Sequence, residues 1–199
     1  KACLGGDFGR LAWCTWGGVM GAENLSSAGV SAQVIGAPAA PTSAQDTQLA
    51  VKTLGANHID LLLFVGGDGT ARDVLAAVDE FTCTCVLGLP AGVKMHSGVF
   101  AISPTAAADV VAGLAQGSLV GRILREVRDY VPAVPGASIS KHQTVATKRY
   151  GELWVPEAAG YLQQMKVGGK EDEDLVVQEV VSYFLDNPEI YSGKALVIG

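Results

Sequence analysis

The chain has 199 residues, 20 acidic against 14 basic, a net charge of −6 and a hydrophobic content of 49%. That balance excludes intrinsic disorder, which needs low hydrophobicity and high charge, and a nucleic-acid binder that works by neutralising phosphates, which would be basic. The length suits one large domain or two small ones, with a substantial core to bury.

Residues 1–30 are glycine-rich, carry Trp13 and Trp16, and show no clean period. The chain opens Lys1-Ala2-Cys3 without an initiator Met and stops at Ala195–Gly199, an apolar run with one turn residue, so further chain is expected beyond it. Ser31–Ile35 reads as a short strand and Gly36–Pro41 as a loop. Ser43-x-x-Asp46 resembles a capping box, and Leu49, Ala50 and Leu54 follow at helical spacing. Asp60–Val65 is a continuous apolar run, the pattern of a parallel strand buried on both faces. Gly66-Gly67-Asp68-Gly69-Thr70 interrupts it, and a helix is expected over Ala71–Phe81. Thr82–Leu87 is a second buried strand and Gly88–Gly98 a second glycine loop. Ser103-Pro104 starts a helix that Gly117 closes.

The character changes near residue 121. Thr144–Val155 mixes β-formers with charges, as in antiparallel strands with one wet face. Glu171–Asp174 begins a helix, Asn187-Pro188 ends it, and Lys194–Ile198 is a buried strand. The order predicts an α/β fold built on a doubly wound parallel sheet, with a β-rich second part. The expected divisions are an α/β nucleotide-binding domain over 1–121, a β-rich insertion or the start of a second domain over 122–170, and a return to α/β over 171–199.

Four cysteines lie at 3, 14, 83 and 85. Cys83-Thr84-Cys85 reads as two core thiols, because a zinc site would need a second close pair and Cys3 and Cys14 are too far apart. Few cysteines, no apolar span of ~20 residues and no signal segment lead to the expectation of a cytoplasmic protein without membrane contact.

Glycine is the compositional outlier, 25 of 199 residues against an average share of about 7%. Two groups of them, Gly66, Gly67 and Gly69, then Gly88, Gly92 and Gly98, fall in loops after adjacent strands. Open α/β sheets bind ligands at the carboxyl ends of their strands. A helix N-terminus there favours phosphate, and glycines let phosphate reach the backbone. Neither the dinucleotide fingerprint nor the P-loop fits, because no final glycine and no Lys follow at the required positions. Asp68 stands out in an anion-binding loop. It could hold Mg2+ that bridges phosphates, or accept a proton from an attacking hydroxyl. It could equally cap the following helix in an ordinary Gly-Asp-Gly turn. The second loop supplies Lys94, a point charge suited to phosphate, with His96 and Ser97. Lys94 also reads as a solvated surface residue and His96 as a loop histidine. Ser97 lacks both a local triad and a Gly-x-Ser-x-Gly setting.

Gly66–Thr70 is identical to the GGDGT motif shared by NAD kinases, diacylglycerol and sphingosine kinases, and phosphofructokinases. The run from Gly88 to Ala101 resembles the ATP- or polyphosphate-dependent NAD kinase branch that includes AcoX-like proteins. Tyr150–Pro156 and Leu162–Lys166 are similar to its later part, so the resemblance covers roughly 58–199. It implies transfer of a terminal phosphoryl group from ATP or polyphosphate, with Mg2+, to the adenosine 2′-hydroxyl of NAD, giving NADP. Asp68 matches the family's proposed base, and Gly66, Gly67, Gly69 and Thr70 its phosphate loop. Gly92, Lys94, His96 and Ser97 are expected beside the nucleotide on chemical grounds. Small-molecule nucleotides are the expected partners, and the resemblance admits a homo-oligomer. Residues 1–30 lack the branch's Asn-Pro with following glycines. The alternatives are a kinase of the same fold acting on another hydroxyl, such as a lipid, and a non-catalytic AcoX-like nucleotide-binding protein. No basic or amphipathic stretch supports the lipid reading.

Overall fold

The structure is a computed structural model that describes residues 11–78, 85–92, 95–119, 121–130 and 147–163. They belong to a first compact unit, Lys1–Met165. A second unit, Lys166–Gly199, lies outside the described residues, and so do the helix and strand expected over 171–199, together with Cys3 and Cys83.

The described part of the glycine-rich start, from residue 11, forms regular elements. A short strand β1 (Cys14–Trp16) leads through a 3-10 turn (Gly18–Met20) to α1 (Ala22–Ser27), and β2 (Gln33–Gly36) pairs parallel to β1. The glycines here answer steric demands. A Cβ on Gly36 would collide with the Trp16 ring, and Gly18 sits at φ +57°, where side chains are strained. α2 (Ala44–Gly55) starts at the expected box. The Asp46 carboxylate accepts the Ser43 N–H at 2.8 Å, the Ser43 hydroxyl at 2.9 Å and the Ala39 N–H at 2.7 Å. These bonds, the Ala39 N–H foremost, hold its carboxyl below the usual carboxylate range.

β3 (Leu61–Gly66) and β4 (Cys85–Pro90) pair parallel, residue for residue from Leu61 opposite Cys85 to Gly66 opposite Pro90. The expectation of burial on both faces is corrected for β3. Leu62 and Phe64 are buried, while Val65, on the other face, is 68% exposed. Period 2 along a strand sends those residues to opposite faces, and on the Val65 face Leu61 and Leu63 are only partly buried where they pack against the core. α3 (Asp68–Leu75) starts three residues before the expected Ala71, inside the glycine motif. β4 runs through Gly88 to Pro90, so the second loop begins later than expected. Gly88 is in the strand because the Phe100 and Phe64 rings press against it and leave no room for a Cβ.

α4 (Pro104–Ala115) has Ser103 as N-cap, its hydroxyl accepting the Ala106 N–H at 3.1 Å. β5 (Arg122–Tyr130) and β6 (Thr147–Pro156) form an antiparallel ribbon with a break in register between Val127 and Arg128. Its inward residues Val127, Leu153 and Val155 join Val74 of α3, Val86 of β4 and Val110 of α4 in one core. Each fully buried side chain of this size contributes roughly 1.5–3 kcal/mol of transfer free energy. The described parallel strands form two separate pairs in a mixed α/β arrangement.

Candidate functional site

The site is built where β3 turns into α3. Gly67 is the N-cap in extended conformation, and Asp68, Gly69 and Thr70 make the first helical turn. N–H groups in a first turn have no acceptor within the helix, and the dipole there is positive. Gly66 is needed for packing, since a Cβ would overlap the Thr70 side chain. Gly67 and Gly69 differ from it. A Cβ on Gly67 would meet only Met95 Cε at 4.0 Å, and one on Gly69 only Asp129 Oδ2 at 3.9 Å. An added Cβ would make only ordinary van der Waals contact at either glycine, so the backbone is less crowded there than at Gly66, which leaves it approachable at a helix N-terminus.

Asp68 is 7% exposed, and both of its oxygens are engaged. Oδ2 accepts the backbone N–H of His96 at 2.8 Å and Oδ1 that of Ser97 at 2.9 Å. Charge-assisted bonds of this kind are roughly twice as strong as neutral ones. One buried carboxylate thus fixes the second glycine loop against the first. The loops also approach through Met95, whose methyl group lies 4.0 Å from the Cβ position of Gly67, and through Ala91 N–H, which donates to Gly66 O at 3.0 Å.

Of the residues expected in the second loop, His96 and Ser97 are drawn to the first loop and Gly92 lies exposed at its edge. Lys94 lies outside the described residues. Ser97 is a strut. Its hydroxyl donates to Arg128 O at 2.8 Å and accepts Arg128 N–H at 2.9 Å, with 2% of the residue exposed. The bond falls at the register break after Val127, where a bulge frees backbone groups from the ladder. Gly98 N–H extends the link by donating to Glu126 O at 3.0 Å. His96 keeps its ring partly exposed. Its Nε2 lies 2.9 Å from the Tyr130 hydroxyl, and the rings meet edge to face at 4.9 Å.

The ribbon adds a charged rim that no motif announced. Arg72 of α3 pairs with Asp129 of β5 at 3.2 Å and lies 5.3 Å from the Tyr150 ring of β6. The Tyr150 hydroxyl first, and then Asp129, hold the Arg72 guanidinium above its already high ordinary value. Lys148 Nζ sits 5.5 Å from the same ring. Arg72 was visible just after the glycine motif. Asp129, Tyr130 and Tyr150 reach the site by tertiary packing alone.

The donor set was tested against a protein-held Mg2+. Both Asp68 oxygens face N–H donors, and Asp129 faces a guanidinium. Among the described residues no group of three or more His, Cys, Asp or Glu is arranged to hold a metal ion. Mg2+ at Asp68 would therefore need the donor phosphates as its other ligands.

Comparison with known proteins gives one match. Residues 14–119, more than half of the chain, match the ATP-NAD kinase N-terminal domain. The match reaches further towards the N-terminus than the resemblance over 58–199, and it takes in β1 and its glycine turn. No curated protein and no solved structure matches. No helix among the described residues is long and apolar enough to cross a membrane.

Proposed function

Because the chain belongs to the NAD kinase family, we propose that it is a phosphotransferase that moves the terminal phosphoryl group of ATP or polyphosphate to the adenosine 2′-hydroxyl of NAD, giving NADP. The acceptor oxygen forms a bond to the terminal phosphorus, the bond from that phosphorus to the bridging oxygen breaks, and the acceptor proton leaves. The observation that carries this reading is the clamp from Asp68 to the backbone of His96 and Ser97. It sets an approachable, glycine-lined helix start beside a second loop, and phosphoryl transfer is mostly a matter of positioning and electrostatic stabilisation.

In this reading the N–H groups at Gly67–Thr70 receive the transferring phosphate, and Lys94 belongs to the same group of phosphate contacts. Each Asp68 oxygen has a lone pair left after its backbone bond, so Asp68 can still orient the acceptor hydroxyl. Mg2+ enters as the counterion of the donor phosphates. The run from Gly88 to Ala101 supports the ATP- or polyphosphate-dependent branch. The two parallel pairs are read as parts of one doubly wound sheet. The partners are small-molecule nucleotides, with neither nucleic acid nor membrane, in a cytoplasmic protein that can form a homo-oligomer. The test is to incubate the chain with NAD, Mg2+ and either ATP or polyphosphate and to assay NADP. The product is expected with at least one donor, and its absence with both would refute the reading.

A further inference from the structure

Arg72 stands three positions after Gly69, one turn along α3 on the same face. Side chains on a helix lean towards its N-terminus, so Arg72 covers the turn that holds the glycine motif. Asp129 of β5 fixes where that side chain ends. Its Oδ2 lies 3.2 Å from Arg72 Nη1 and 3.9 Å from the point where a Cβ on Gly69 would stand. One carboxylate oxygen therefore separates the guanidinium from the backbone at Gly69. Asp129 Oδ1 accepts the Tyr130 N–H at 2.7 Å, which keeps the carboxylate in that place. The Tyr150 ring supports the guanidinium at 5.3 Å.

Stability does not explain the pair. Its side chains are 40% and 16% exposed, and exposed ion pairs contribute little. Asp129 also conflicts with an anion site, because it sets a negative charge beside Gly69. The fork of Arg72 resolves the conflict. A guanidinium carries five N–H donors, and Asp129 meets it at Nη1. Phosphate offers that fork two parallel bonds.

We propose that Arg72 is the side-chain phosphate contact of the helix start, and that Asp129 is the counterion it holds until the donor arrives. The inference rests on the kinase reading above. On binding, the guanidinium turns its fork to the phosphate beside Gly69, and its contact with Asp129 gives way. The chemistry recognised is a chain of linked phosphates, whether in ATP or in polyphosphate.

The test is calorimetric titration of the full chain with tripolyphosphate and, separately, with ATP and Mg2+. Arg72→Gln should weaken binding by about 10-fold or more. Arg72→Lys keeps the charge without the fork and should fall between the two. Asp129→Asn breaks the same ion pair, yet it should tighten binding by about twofold or more, since it removes the competing charge. Arg149→Gln loses the same charge on β6, where Arg149 faces Glu126 and Glu152, and should stay within about twofold of the wild type.

A wild type that binds neither ligand would overturn the assignment, and so would an Arg72→Gln variant within twofold of it. Weakening by Asp129→Asn alongside Arg72→Gln would make the pair a structural strut. An equal loss in Arg149→Gln would reduce the effect to net charge, and either result overturns the assignment. If Arg72→Gln does not fold by circular dichroism, Arg72→Lys and Asp129→Asn decide the question. The NADP assay separates the two readings. NADP from a wild type whose Arg72→Gln variant binds equally well would overturn the Arg72 assignment alone. The expected shifts in a chain that forms no NADP with either donor would uphold the phosphate contact and refute the kinase reading.

Discussion

Asp68 Oδ1 accepts the backbone N–H of Ser97 at 2.9 Å across 29 positions of sequence. Ser97 in turn holds the backbone of Arg128. Three elements that are distant in the chain are therefore fixed by one carboxylate and one hydroxyl. Asp68→Asn keeps one acceptor and turns an NH2 group against the other N–H. A buried bond to a charged group is worth about 1.5–3 kcal/mol, and a loss of that size is expected in urea unfolding. An unchanged midpoint would show that the clamp carries no stability.

Ser97→Ala removes the strut and leaves Arg128 N–H and C=O without that partner in a part-buried place. The expected cost is about 1–3 kcal/mol. Because Ser97 Oγ faces the protein backbone, the effect should appear in the unfolding midpoint more than in the affinity for donor. A selective loss of donor binding would assign Ser97 to the phosphate instead.

Gly88→Ala places a methyl group against the Phe100 and Phe64 rings. Overpacking of a tight core typically costs about 1–3 kcal/mol. Gly69→Ala meets only Asp129 Oδ2, at 3.9 Å, an ordinary van der Waals contact. It should leave stability within about 1 kcal/mol, since alanine suits a helix better than glycine, and should weaken binding of tripolyphosphate. Calorimetric titration and thermal unfolding of the two variants separate the packing glycine from the site glycine.

Asp46 predicts a pH effect remote from the site. Its folded value lies below the ordinary 3.8 because Ala39 and Ser43 bond the charged form. Its contribution is therefore complete above the unfolded value and is lost as pH falls through the lower folded value. Wild type should lose stability on acidification below about pH 4 more steeply than Asp46→Asn, as read from urea midpoints against pH. Parallel curves would contradict this.

The parts of the fold legible in sequence are those with local signals. The β3 run, the Ser43–Asp46 box and the Ser103-Pro104 start each declare themselves within a few residues. The early start of α3 was hidden because glycine is a poor helix former, so Gly69 reads as loop although it lies in a helical turn. β1 has three residues, too few to show a period. In β5 the bulge after Val127 breaks the alternation, and Asp129 and Tyr130 carry no motif. The glycine loop could be found from sequence. Its neighbours on the ribbon could not, because only packing against α3 brings them there.

The most direct measurement is the rate of NADP formation by the full chain and by Asp68→Asn, with NAD, Mg2+ and ATP or polyphosphate. The account predicts NADP from the wild type with at least one donor, and a rate at least about 100-fold lower in the variant with its circular dichroism spectrum retained. No NADP from the wild type with either donor, or an Asp68→Asn variant at the wild-type rate, would contradict it.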